Sequence, residues 1–227
     1  MTAGLDTLLT ALYVELTDRI IPLRGPGRRR PGRPPEVTAT PVPCGTSAVT
    51  AKRPGLSGHA GYGYCPSHSR WYWGAKLLII CTCDGTVTGF SLANPKLHGE
   101  RDQARQTLER QPANRPAPGT AVVTDKRLSG HSTEEFFAGD SPGLTLIRPA
   151  RKDEKQPRPF PNWLRQRVEA VIWTLKSQLG LERHGGRVPA GLWARMVQRL
   201  LALNAVIWHN WLIGAPVKRS LTAYDHV

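Results

Sequence analysis

Apolar residues recur along this chain with two different periods, and the switches between them outline its elements. Between residues 5 and 21, Leu5, Leu8, Leu9, Leu12, Leu16 and Ile20 recur at helical intervals and predict a helix of about four turns. From Thr38 the pattern becomes that of strands. VTATPVP is a short candidate strand, and RWYWGAKLLIICTC a long one rich in aromatic and β-branched residues. Asp84 and Gly85 then predict a tight turn into TVTGFSLA, which makes a hairpin. ERDQARQTLER, from Glu100, reads as a polar helix with Leu108 as its packing contact. TAVVTD is a buried strand with Asp125 at its end, HSTEEFFAG a short helix and GLTLIRP another strand.

The segment NWLRQRVEAVIWTLK, residues 162–176, carries its apolar stripe at Leu164, Val168, Val171, Ile172 and Leu175, continued by Leu179. Gln166, Arg167, Thr174 and Gln178 fall opposite, and Arg165, Glu169 and Lys176 line up in a narrow band along one edge of the stripe. The spacing alone predicts a surface ladder in which Arg165 and Glu169, four apart, contribute a few tenths of a kcal/mol. A last long helix is expected from about Pro189 to Ile213. Strand, hairpin, helix, strand, helix, strand, helix is the order of an α/β fold, a mixed sheet with helices on its faces.

Between the first helix and the first strand lies RGPGRRRPGRPP, in which proline and glycine are too dense for a helix to continue. We therefore divide the chain into an N-terminal helix (1–23), an Arg/Pro/Gly-rich linker (24–36) and a core with C-terminal helices (37–227). Arg28, Arg29, Arg30 and Arg33 make the linker a candidate DNA-contacting arm, because a narrow A·T minor groove attracts arginine. Charge strengthens that view. The 227 residues carry a formal net charge of +14, and from position 148 onward 14 basic residues face 5 acidic ones. A polyanionic partner is expected, nucleic acid before a membrane surface. Asp6, Glu15 and Asp18 in the first apolar stretch do not suit a secretory signal, and LLALNAVIWHNWLI is too short to cross a bilayer, so a cytoplasmic, nucleoid-associated protein is expected. Four cysteines without a compact framework are expected as free thiols; Cys65, His68, Cys81 and Cys83 form only a loose zinc-like pattern. The tryptophans Trp71, Trp73, Trp193, Trp208 and Trp211, with His209 and Asn210, are expected in the core or an interface.

An acid at a strand end and another on a following helix can meet across such a sheet. Two carboxylates at one site invite a divalent cation, since Mg²⁺ is commonly held by one or two carboxylates plus substrate phosphate. With these residues in view, the chain resembles the DDE transposases of bacterial insertion sequences, whose catalytic core is RNase H-like. Their third acid often sits in a helix reading Tyr, two residues, Arg, three residues, Glu, six residues, Lys. Arg165, Glu169 and Lys176 keep that spacing, with Asn162 where tyrosine is usual. VVTDKRLSG around Asp125 is similar to the strand that delivers the second acid, and ATPVPCG, GYGYCPSHSRWYWGAKL, ANPKL, LERHGGRVPAG and APVKRSLTAYDH are similar to one subgroup from high-GC bacteria.

The resemblance implies that Asp125 and Glu169 are catalytic and hold Mg²⁺ or Mn²⁺, and that Arg165 and Lys176 contact phosphate. It implies double-stranded DNA as partner, at element ends and target, and allows for a homodimer. The departure is at the first acid, where Thr38 stands. Glu36 would face the same side but is displaced by one strand repeat, roughly 6.6 Å, and Asp84 is read as turn chemistry. The family's longer region between linker and first strand is also absent, as if deleted. The expectation is a transposase relative impaired in cutting. A DNA-binding remnant that interferes with intact transposases is the second reading, and an unrelated RNA-binding protein the third.

Overall fold

The computed structural model describes residues 4–24, 35–45, 54–65, 69–110, 119–125, 128, 130–139, 143–150, 154, 160–215 and 221. Six strands form one mixed sheet: β1 (Glu36–Gly45), β2 (Gly61–Cys65), β3 (Arg70–Cys81), β4 (Val87–Ala93), β5 (Ala121–Thr124) and β6 (Thr145–Ile147). β1 runs antiparallel to β3 on one side and parallel to β5 on the other, and β6 adds to β5 in parallel. β2 and β4 share the remaining edge of β3 end to end, along Arg70–Gly74 and Lys76–Cys81. β1 starts at Glu36, the last residue of the expected linker.

Alternation along β1 and β3 sorts their side chains onto two cores. Val37, Leu78 and Ile80 pack with Val122, with Ala104 and Leu108 of α3 (Glu100–Arg110) and with Phe137 of α4 (His131–Ala138). Val42, Cys44, Ala75, Leu77, Ile79 and Cys81 face the opposite way, against α5 (Asn162–Trp173) and α6 (Pro189–Leu212). A strand covered on both faces has no polar side, which is why β3 reads AKLLIIC without alternation. Gly74 sits where β3 crosses the β1 bulge between Pro43 and Gly45, and a Cβ there would collide with the Val42 carbonyl.

α6 begins with Pro189 in its first turn, where a missing N–H costs nothing, and buries Leu192, Met196, Val197, Leu200, Leu203 and Ile207. The N-terminal helix docks on it. α1 (Leu5–Val14) continues through a π-helical turn (Glu15–Ile20) into α2 (Ile21–Arg24). Its buried face is Tyr13, Leu16, Thr17 and Ile21, whereas Leu5, Leu8 and Leu12 of the expected stripe are exposed. Asn204 of α6 joins this helix to the sheet: its Oδ1 accepts from the Val87 N–H (2.9 Å), and its Nδ2 donates to the Val87 carbonyl (2.8 Å) and the Thr17 hydroxyl (3.1 Å). The Tyr13 hydroxyl donates to the same carbonyl at 2.5 Å. Asn210 is fully buried as expected, but His209 faces solvent. None of the described helices is long and apolar enough to cross a membrane.

Candidate active site

α5 lies against β1, with Val168 and Val171 in the core beside Val42 and Leu164 packed on Val123, and the outer edge of its apolar stripe borders the carboxyl end of β5 beside the start of β1. A cavity of about 440 Å³ opens there. Glu36, Thr38 and Thr40 line it from β1, Asp125 from the end of β5, and Arg165, Glu169 and Lys176 from the α5 side, with Tyr64, Tyr72 and Lys76 closing the far wall. The fold thus brings Asp125 and Glu169 to one cavity.

The parallel register places Thr38. Glu36 pairs with Val123 and Val37 with Thr124, so one residue further Thr38 stands level with Asp125. Glu36 is one strand repeat deeper on the same face, in the position that spacing alone had set aside as a poor substitute. It is only 5% exposed, and its Oε2 has no hydrogen-bond partner. Burial pushes its carboxyl up to about 7, helped by the charge of Glu169 and opposed by that of Arg165. Asp125 and Glu169, in contrast, are exposed.

Arg165 and Glu169 form the ladder that their spacing predicts, Nε to Oε1 at 2.9 Å. Both side chains are more than half exposed, so the pair adds little to stability. Arg165→Ala is expected to shift urea-unfolding stability by less than about 0.5 kcal/mol. Lys176 lines the same cavity as Arg165 and Glu169, as the band along the stripe predicts. The helix widens into a π turn over Thr174–Gln178, and the Lys176 Nζ meets Glu182 at 3.0 Å. Glu182 is also reached by Arg70 at 3.5 Å, and burial acts against these two cations, whose attraction leaves its carboxyl below the ordinary range.

Asp84 is buried in the turn between β3 and β4, where Gly85 takes φ +89° and donates its N–H to the Thr82 carbonyl, and it does not line the cavity. All four cysteines are buried thiols outside any disulfide, and Cys81 and Cys83 pack into different clusters. His68 and the linker arginines Arg28, Arg29, Arg30 and Arg33 lie outside the described residues. Trp73 is a core residue, but Trp71 is 72% exposed and its ring lies 5.2 Å from that of Tyr64. The wall residue Tyr64 was not legible as a site residue, because β2 was not legible as a strand.

The oxygen-rich donors of the cavity suit a hard divalent cation, and the orphaned Glu36 oxygen is the feature that such an ion would satisfy. Among the described residues no group of three or more His, Cys, Asp or Glu side chains is close enough to hold a metal ion. No family model, curated protein or solved structure matches this chain.

Proposed function

We propose that this protein is a DNA-binding relative of the DDE transposases, built on an RNase H-like core and impaired in strand cleavage because Thr38 replaces the first acid. The register that sets Thr38 level with Asp125 carries the reading, since the position facing the second acid is where a shared cation would need a carboxylate. The sheet order β4-β3-β1-β5-β6, with only β3 antiparallel to its neighbours, is compatible with it. So is the charge of +14.

Asp125 and Glu169 would hold Mg²⁺ or Mn²⁺, with Arg165 and Lys176 beside the cavity positioning a DNA phosphate. The cation, when bound, supplies stabilisation of charge on the attacking and leaving oxygens of a phosphodiester. Threonine cannot offer the anionic oxygen that such an ion needs. Its hydroxyl can only orient a water or phosphate oxygen by hydrogen bonding. Glu169 must also exchange its ion pair with Arg165 for the cation, which frees the guanidinium for phosphate.

The test combines binding with nicking of a supercoiled plasmid in Mg²⁺ or Mn²⁺. Duplex DNA should bind with a log–log salt slope of about −0.9 per phosphate contact. The natural chain should nick weakly or not at all, Thr38→Asp should nick faster, and Glu169→Ala should abolish whatever nicking remains. Preference for structured RNA over duplex DNA would point instead to an RNA-binding protein. Duplex binding without nicking by any variant would mark a remnant whose losses extend beyond Thr38.

A further inference from the structure

We infer that the chain carries a divalent-cation site displaced one strand repeat below Thr38, formed by Glu36 together with Glu169. The inference rests on the reading of this cavity as the cation-binding cleft of a transposase relative, and it assigns Glu36 a role that the spacing of the family's acids does not. Three observations support it. Glu36 is 5% exposed, lines the cavity and has one carboxylate oxygen without any partner. A buried carboxylate oxygen left unmatched is costly, so a ligand that supplies positive charge has a large differential affinity for this position. Glu169 lines the same cavity and its charge acts on Glu36. Two carboxylates on one cavity are a donor pair for a cation, which converts their repulsion into attraction. Finally, Arg165 lies against Glu169 at 2.9 Å and its charge reaches Glu36, so a guanidinium provides in the metal-free state part of the positive charge that a metal ion would bring.

The donors are oxygen only, which selects Mg²⁺ or Mn²⁺ over thiophilic ions. Two carboxylates leave most of the coordination sphere to water and, in a complex, to phosphate. Because Glu36 lies a repeat deeper than Thr38, the ion would sit below the position of the family's first acid, and so a protein that binds the metal would still cut poorly.

Mn²⁺ titration of the metal-free full chain, with free Mn²⁺ followed by electron paramagnetic resonance and no DNA present, tests the site directly. One Mn²⁺ is expected per chain. Glu36→Gln and Glu169→Gln should each weaken binding tenfold or more, and Arg165→Ala should tighten it by removing the competing cation. Circular dichroism of each variant establishes that it is folded. Equal Mn²⁺ affinity in Glu36→Gln and the natural chain would overturn the inference. A natural chain that binds no Mn²⁺ would overturn it as well. DNA affinity of the same preparations separates the two proposals, since a chain that takes up Mn²⁺ through Glu36 but ignores DNA refutes the transposase reading and leaves the site standing.

Discussion

Glu36→Gln is expected to leave the metal-free protein as stable as the natural chain at pH 4 and more stable at pH 8, by up to about 3 kcal/mol. The folded carboxyl titrates near 7 because it is buried and faces Glu169, against an ordinary value of 4.5. At pH 4 it is neutral in both folded and unfolded chains and costs nothing extra. As pH rises past 4.5 the unfolded chain releases the proton while the folded chain retains it, so the natural protein loses stability progressively until the folded group also ionises near 7. Glutamine has no proton to lose, and the Glu36 contribution to the profile between these values should disappear. Urea unfolding in EDTA from pH 4 to 8 reads the effect. A difference between the two proteins that is the same at every pH would show that Glu36 contributes through packing rather than through buried charge.

Asn204→Ala should cost about 3 kcal/mol, the second large effect, and lower the thermal midpoint by roughly 6–12 °C. The substitution removes three hydrogen bonds at once and strands the Val87 N–H, a buried donor that no water reaches. The Val87 carbonyl retains the Tyr13 hydroxyl, so the loss falls on the donor side. Thr17→Ala removes the partner at 3.1 Å and the Thr17 contact with the Tyr13 hydroxyl, and should cost about 1 kcal/mol. In a double-mutant cycle the two should therefore fall short of additivity. Full additivity would mean that Thr17 and Asn204 act independently and do not form a single clamp.

The long apolar run of β3 and the stripe of α5 were legible because burial dictates residue type there: Leu164, Val168 and Val171 are inside as their spacing requires. β2 was not. Its sequence, GYGYC, contains two glycines in five residues, and glycine argues against a strand interior. The reason lies in the neighbouring strand, where the Tyr72 ring lies across Gly63 so closely that a Cβ would come within 2.6 Å of it. No local pattern can announce a vacancy created by a residue nine positions away. The site was half legible for a similar reason. Asp125 and Glu169 stand out by resemblance, but the standing of Glu36 depends on how deep the β1 register carries it, which only the pairing with Val123 and Cys81 decides. The exposed leucines of α1 mark a limit of the wheel, since Tyr13 and Thr17 are buried while Leu5, Leu8 and Leu12 of the row are not.

The clamp between Thr17 and Asn204 joins residues 187 positions apart, and this has a consequence for synthesis on the ribosome. At elongation rates of 5–20 residues per second, the first helix must wait roughly 10–40 s before its docking partner has even been polymerised. Throughout that interval Tyr13, Leu16 and Ile21 have no α6 to cover them, in addition to the leucines that stay outside in the finished fold. The nascent amino-terminal segment is therefore a natural client for a chaperone at the exit tunnel. Closure of the core waits until α6 has cleared the tunnel.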